Sequence, residues 1–228
     1  FVIEENCVFL DNCIIDENSD RSKNGGYVIS SQAPDFVFKD SEIKFTSYYH
    51  STAAMILSGS SNSDIHDIHF YQCCTYDNSD FEAFGVFITS QTNSVRIYDC
   101  IFDRLGDRGA NAAIYDYGHD TTIDNCQFIN EGAAQTGAIN VYSYGKHTIQ
   151  NCFSTYNWGD LGTFQLLPQG EQISETLFTF KNITIDNVNG NNHIALYCSF
   201  NSNTPVDFDN VTIRNIDKPN CLVQFDLA

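Results

Sequence analysis

The chain has 228 residues, with 29 Asp and Glu against 11 Lys and Arg, a formal net charge of −18. Such an acid excess excludes nucleic acid as a partner, since phosphates need a basic footprint, and excludes docking on anionic lipid through a basic patch. A hydrophobic fraction of 42% with 14% aromatics excludes disorder, and no apolar run approaches the ~20 residues that cross a bilayer.

One short pattern recurs along the chain: apolar, any residue, Asn or Asp, a small or apolar residue, any residue, apolar. It begins in a degraded form at Glu4-Glu5-Asn6-Cys7-Val8-Phe9. Full copies follow at Phe38-Lys39-Asp40-Ser41-Glu42-Ile43, Ile65-His66-Asp67-Ile68-His69-Phe70 and Ile97-Tyr98-Asp99-Cys100-Ile101-Phe102. Next come Ile123-Asp124-Asn125-Cys126-Gln127-Phe128 and the degraded Ile149-Gln150-Asn151-Cys152-Phe153-Ser154. Phe180-Lys181-Asn182-Ile183-Thr184-Ile185 and Phe208-Asp209-Asn210-Val211-Thr212-Ile213 close the series. The Asn or Asp falls at 6, 40, 67, 99, 125, 151, 182 and 210, so the mean spacing is about 29 residues, within the ~20–50 of solenoid repeats.

A second apolar block follows each copy, at 26–29, 53–57, 85–88, 112–115, 137–141, 162–166, 194–197 and 221–225. These blocks are strand-length, rich in branched and aromatic residues, and bounded by Gly, Asn or Ser. No segment carries a helical stripe. Within the motif, the first apolar residue and the one after Asn or Asp are three apart. Both can face inward only if the chain bends between them, because strand side chains alternate, and Asn and Asp tolerate the left-handed conformation such a bend needs. The prediction is one all-β domain over 1–228: a parallel β-helix of about eight coils, three short strands each, stacked to ~38 Å at ~4.8 Å per rung.

The arrangement resembles the right-handed parallel β-helix of the pectin-lyase-like superfamily. That resemblance places Asn125, Asn151, Asn182 and Asn210 at the family's internal asparagine ladder. It also implies where chemistry would sit: acidic groups on outward faces and flanking loops that bind calcium or act as acid and base, with an Arg or Lys to abstract a proton. Gly25-Gly26-Tyr27-Val28 and Phe9-Leu10-Asp11-Asn12 are similar to short repeats of bacterial polymorphic outer-membrane adhesins.

Five groups of residues are candidates for function. Asp99, Asp103, Arg104 and Asp107 form the most charged segment, and paired carboxylates ~5–9 Å apart suit glycoside hydrolysis; solvated Asp–Arg pairs are the plainer reading. Tyr115, Tyr117, Asn140 and Tyr142, with Tyr144, lie on equivalent strands of adjacent coils and offer rings and amides to a sugar, unless alternation turns them inward. His66, His69 and Cys73, with Cys74, invite a zinc reading, although the two histidines project from different sides of a bend. Asn182-Ile183-Thr184 and Asn210-Val211-Thr212 are glycosylation sequons; a buried ladder Asn cannot carry a glycan, so the internal ladder is the preferred reading. Cys100, Cys126 and Cys152, with Cys7 ahead of them, form an inward column read as packing rather than bridging, with Cys7–Cys13 or Cys73–Cys74 links left open.

The expectation for function is a non-enzymatic rod, extracellular or at the cell surface, serving adhesion, spacing or filament structure, without a cofactor. The chain starts at Phe1 and both ends look like uncapped strands, so it reads as a segment of something longer. Further coils or end-to-end copies of itself are the expected partners. The alternative is a polysaccharide lyase, a glycoside hydrolase or a polysaccharide-binding module using an outer face, with calcium as its metal.

Overall fold

The computed structural model describes residues 2–3, 7–16, 27–44, 52–59, 62–73, 83–105, 112–130, 136–157, 162–167, 176–188, 195–200, 204–216 and 223–227. All regular structure among them is β-strand, and every pairing is parallel. The chain is a right-handed parallel β-helix.

Each coil has three sides. The first side runs into the repeated Asn or Asp and the second leaves it, as in Val95–Tyr98 and Ile101–Asp103 or Asp120–Asp124 and Gln127–Ile129. In other coils one strand passes through the bend, as in Asp35–Lys44 and Asn62–Tyr71. The third side is a sheet of nine strands running from Val2–Ile3 to Val223–Leu227. Its strand count exceeds the eight motif copies because Val2–Ile3 opens the sheet ahead of the first bend.

The bend has the predicted backbone. Asp40, Asp67, Asp99, Asn125, Asn151, Asn182 and Asn210 have φ of 48°, 54°, 55°, 51°, 55°, 54° and 53°, in the left-handed region that short Asx side chains enter most readily. The reversal puts the flanking residues inside together: Ile97 and Cys100 are both 0% exposed, as are Phe70, Phe102 and Phe128 one strand on. Those three rings stack from rung to rung at 4.8 and 5.1 Å between centroids. Burying such a side chain stabilises the fold by roughly 1.5–3 kcal/mol.

Two expectations need correction in the first coil. Leu10 pairs with Phe38 and Ile14 with Glu42, so the residue opposite Asp40 is Asn12, with φ 51°, and not Asn6. The first copy is therefore Leu10-Asp11-Asn12-Cys13-Ile14-Ile15. Cys13, rather than Cys7, takes the column position of Ser41, and its backbone N–H donates to Ser41 Oγ at 2.9 Å.

A second bend per coil was not anticipated. Five residues after the first, Gln72, Arg104, Asn130, Tyr156, Asn187 and Asn215 have φ of 49°, 59°, 56°, 57°, 51° and 55°. The residue after it turns into the core: Cys73, Leu105, Asn157 and Val188 are buried. Where Gln, Arg or Tyr occupies the bend, the next side chain is buried all the same, as an apolar group at Cys73 and Leu105 and as a hydrogen-bonded amide at Asn157.

Candidate functional site

The first corner is a hydrogen-bonded ladder, and it lies on the outside. Asn12, Asp40, Asp67, Asp99, Asn125, Asn151, Asn182 and Asn210 are all exposed, which corrects the internal ladder that the resemblance implied. Three strand faces close the core, so a residue at the bend itself points away from it. Asn210 Nδ2 donates to Asn182 Oδ1 at 3.0 Å, and Asn182 Nδ2 to Asn151 Oδ1 at 2.9 Å. Asn151 Nδ2 then donates to Asp124 Oδ1 at 2.8 Å, and Asn125 Nδ2 to Asp99 Oδ1 at 2.5 Å. An amide both gives and takes, so it can relay along the stack.

The charged candidates are spread along this surface. Asp99 stands on the first corner, whereas Asp103 ends the second side and Arg104 forms the second bend. The two aspartates therefore stand at different bends of the coil, with the strand Ile101–Asp103 between them. Arg104 Nη1 donates to Tyr71 Oη at 3.2 Å and its guanidinium lies 5.7 Å from that ring's centroid, with Asp103 Oδ1 3.6 Å from Nε. Asp107 lies outside the described residues. Asp99 also borders a cleft of ≈ 130 Å³ with Arg96, Tyr98, Thr122, Asp124 and Asn125 and a second of ≈ 340 Å³ with Asn12, Asp40, Glu42, Asp67 and His69, the latter at the lower end of the ~300–1,000 Å³ of ligand pockets. Burial, Asp64 and, more weakly, Asp67 and Asp99 push the Tyr98 phenol above its usual pKa, against the pull of Arg96.

His66, His69 and Cys73 point three ways. His66 Nδ1 lies 2.8 Å from Asp67 Oδ2 and its ring stacks on Tyr98 at 4.6 Å. His69 Nδ1 is 3.6 Å from Glu42 Oε1 on the second side, and the buried Cys73 thiol donates to the Ile43 carbonyl at 3.3 Å. Among the described residues, no three His, Cys, Asp or Glu side chains are grouped to hold a metal ion.

The tyrosines do gather, on the outer face of the nine-stranded sheet. Tyr115 and Tyr117 join their hydroxyls at 3.2 Å, and Tyr142 lies 5.4 Å from Tyr117 and 6.4 Å from Tyr115 between ring centroids. Phe87 completes the group at 6.0 Å from Tyr115 and Tyr117. Tyr115 is only 7% exposed and Asn140 1%, so the expected open row is largely covered; Tyr117 and Tyr142 are half-buried. Asn140 Oδ1 is buried with no hydrogen-bond partner among the described residues.

The cysteine column is a stack of thiols. Cys100, Cys126 and Cys152 are at most 2% exposed, and they are free, as are Cys13, Cys73 and Cys198. Burial and the Cys100 thiol push Cys126 well above its ordinary pKa, and contact with Cys126 together with burial does the same to Cys152. Burial alone pushes Cys198 up to about 12. Protonated and enclosed thiols are poor nucleophiles.

One constellation escaped sequence reading. Asp116 ends a third-side strand on the inward row, between Ile88 and Val141 of its neighbours. Its Oδ2 lies 3.1 Å from His147 Nδ1, and its Oδ1 accepts the Gly118 N–H at 2.7 Å. His147 Nε2 is 3.3 Å from Ser143 Oγ and 3.4 Å from the Tyr144 carbonyl. Gly118 is needed there, because a Cβ would meet Ile88 Cγ2 at 2.8 Å and Asp116 Oδ1 at 3.1 Å. The order Ser–His–Asp is that of an acyl-transfer triad, but Ser143, His147 and Asp116 are 4%, 1% and 0% exposed. Enclosed in this way, they staple the third side to the first. A carboxylate at an inward parity was the available signal, masked by the tyrosines on either side.

Comparison with protein-family models, with curated proteins and with solved structures finds no match.

Proposed function

We propose that this β-helix is a structural or adhesive rod of an extracellular or cell surface, a spacer or filament component rather than a catalyst. The observation that carries this reading is the corner ladder, whose amides from Asn125 to Asn210 are tied to acceptors on the neighbouring rung. The likeness of the coil to pectin-lyase-like β-helices and to adhesin repeats supports a surface role. At the last described rung Phe208 is 38% exposed, whereas its inward neighbour Phe180 is 1%. A further coil or a second copy would cover that ring.

Incubation with acidic and neutral polysaccharides tests this directly. The rod predicts no new reducing ends and no unsaturated products; either would overturn it. Sedimentation should show an elongated particle whose end-to-end association weakens in Phe208→Asp.

The aromatic group favours a second reading, polysaccharide binding on the third side through Tyr117 and Tyr142, whose rings are half-buried rather than enclosed. Affinity electrophoresis in polysaccharide gels should then show retardation that Tyr117→Ala and Tyr142→Ala each reduce severalfold. Equal mobility of all three proteins would remove this reading.

A further inference from the structure

Every corner residue is exposed, so ladder and glycan no longer exclude each other. We infer that Asn182 and Asn210 are paired N-glycosylation acceptors, forming a glycan-bearing edge along the last two described rungs of the first corner. The inference rests on the extracellular reading above, because the modification belongs to a secretory route.

Three observations carry it. First, both amides stand on the outside, and each uses one N–H in the ladder, Asn182 toward Asn151 and Asn210 toward Asn182. An amide nitrogen carries two hydrogens, so the second can be replaced by a sugar while the ladder bond remains. Secondly, the coil sorts the three sequon residues by alternation. Ile183 goes inward at 1% exposure and Val211 packs against the same core, whereas Thr184 and Thr212 face outward as register partners on the second side. A glycan on either Asn therefore meets solvent and displaces no core group.

Thirdly, the coil does not itself demand threonine at that place. The equivalent residues of the other rungs are Ile14, Glu42, His69, Ile101, Gln127 and Phe153, none of them hydroxylated. The Asn–apolar–Thr sequence is confined to two adjacent rungs.

In the transfer, the Asn Nδ2 attacks the anomeric carbon of an oligosaccharide carried on a polyprenyl diphosphate. A C–N bond forms and the sugar–phosphate C–O bond breaks. The lipid diphosphate leaves, and the displaced amide proton passes to solvent. No electrons are exchanged.

The test is secretion of the full chain from a eukaryotic host, with a control sequon in a flexible C-terminal tag, read by intact mass before and after peptide N-glycosidase. Two glycans beyond the tag's are expected. Thr184→Val and Thr212→Val should each remove one, halving the mass gain while leaving both amides and the ladder in place. An occupied tag with neither site filled, or with only one, would overturn the paired edge. That failure would leave the rod standing, since the rod is judged by the polysaccharide and sedimentation measurements on unglycosylated protein.

Discussion

The corner ladder and the Asp116–His147 staple both join rungs through polar side chains, yet they sit in opposite surroundings. Asn151, Asn182 and Asn210 stand in water, so each ladder bond replaces one already made to solvent and is worth about 0.5–1.5 kcal/mol net. Asp116 and His147 are 0% and 1% exposed, and removing either partner strands the other without water. The difference teaches how this coil holds its register. The exterior repeats a weak preference along the later turns, while the interior sets one strong constraint where the third side meets the first.

Breaking the staple is the largest test of that contrast. His147→Ala should lower the unfolding free energy by about 3–5 kcal/mol, the usual loss when one member of a buried polar pair goes, measured by urea denaturation. The pair Asp116→Val with His147→Phe should recover most of it. Val141 already flanks Asp116, and Phe178 flanks His147 with ring centroids at 5.2 Å. A loss below about 1 kcal/mol for His147→Ala would mean the pair is idle.

The ladder should respond less. Asn151→Asp keeps the acceptor used by Asn182 but loses the donor to Asp124 and sets two carboxylates together. A cost of about 1–2 kcal/mol is expected, against about half that for Asn151→Ala, which removes the bonds without adding charge. Equal costs would show that charge is screened at this corner.

A smaller effect belongs to the second corner. Asn215 donates to Asp186 Oδ1 at 2.7 Å and Arg214 to Oδ2 at 3.1 Å. Those contacts, the Asn215 bond foremost, hold the Asp186 carboxyl below its ordinary value against the opposing effect of desolvation. A folded pKa below the unfolded one adds stability that is present above the ordinary value and lost as pH falls through the folded one. Asn215→Ala should therefore lower the urea midpoint at pH 7, by less than Asn151→Asp does, and the deficit should fade below the ordinary value of 3.8. A deficit unchanged in acid would place the role of Asn215 in its backbone bend.

What the sequence disclosed, and what it hid, follows the same division. The first bend was legible because Asn or Asp recurs there between two inward apolar residues, and only a left-handed residue reconciles that spacing with alternation. The second bend was harder to see, since Asn recurs there only at Asn130, Asn187 and Asn215, while Gln72, Arg104 and Tyr156 have no preference for that conformation. Alternation also says nothing about a residue at the bend itself, so the outward aim of Asn182 and Asn210 had to come from the closed coil. The first copy was misplaced because Cys7 and Cys13 both follow an Asn, and only pairing with Phe38 and Glu42 distinguishes them. Asp116 stood hidden between Tyr115 and Tyr117, although the last inward place of that strand belongs to its carboxylate.

The smallest test lies within the ladder, whose early rungs carry Asp40, Asp67 and Asp99 where the later ones carry amides. Carboxylates cannot relay to one another, so they take partners beside them: Lys39 Nζ at 3.1 Å from Asp40, His66 at 2.8 Å from Asp67, and Asn125 for Asp99. Three like charges at ~4.8 Å steps still repel. Asp67→Asn restores a donor toward Asp40 and removes the middle charge, so it should stabilise by about 0.2–1 kcal/mol. The gain should be greatest near 0.01 M salt, where the Debye length is ~30 Å, and should shrink at 1 M, where it is ~3 Å. Loss of stability at low salt would mean that the His66–Asp67 contact outweighs the repulsion. The acidic rungs would then be held as firmly as the amide ones, by charge in place of relay.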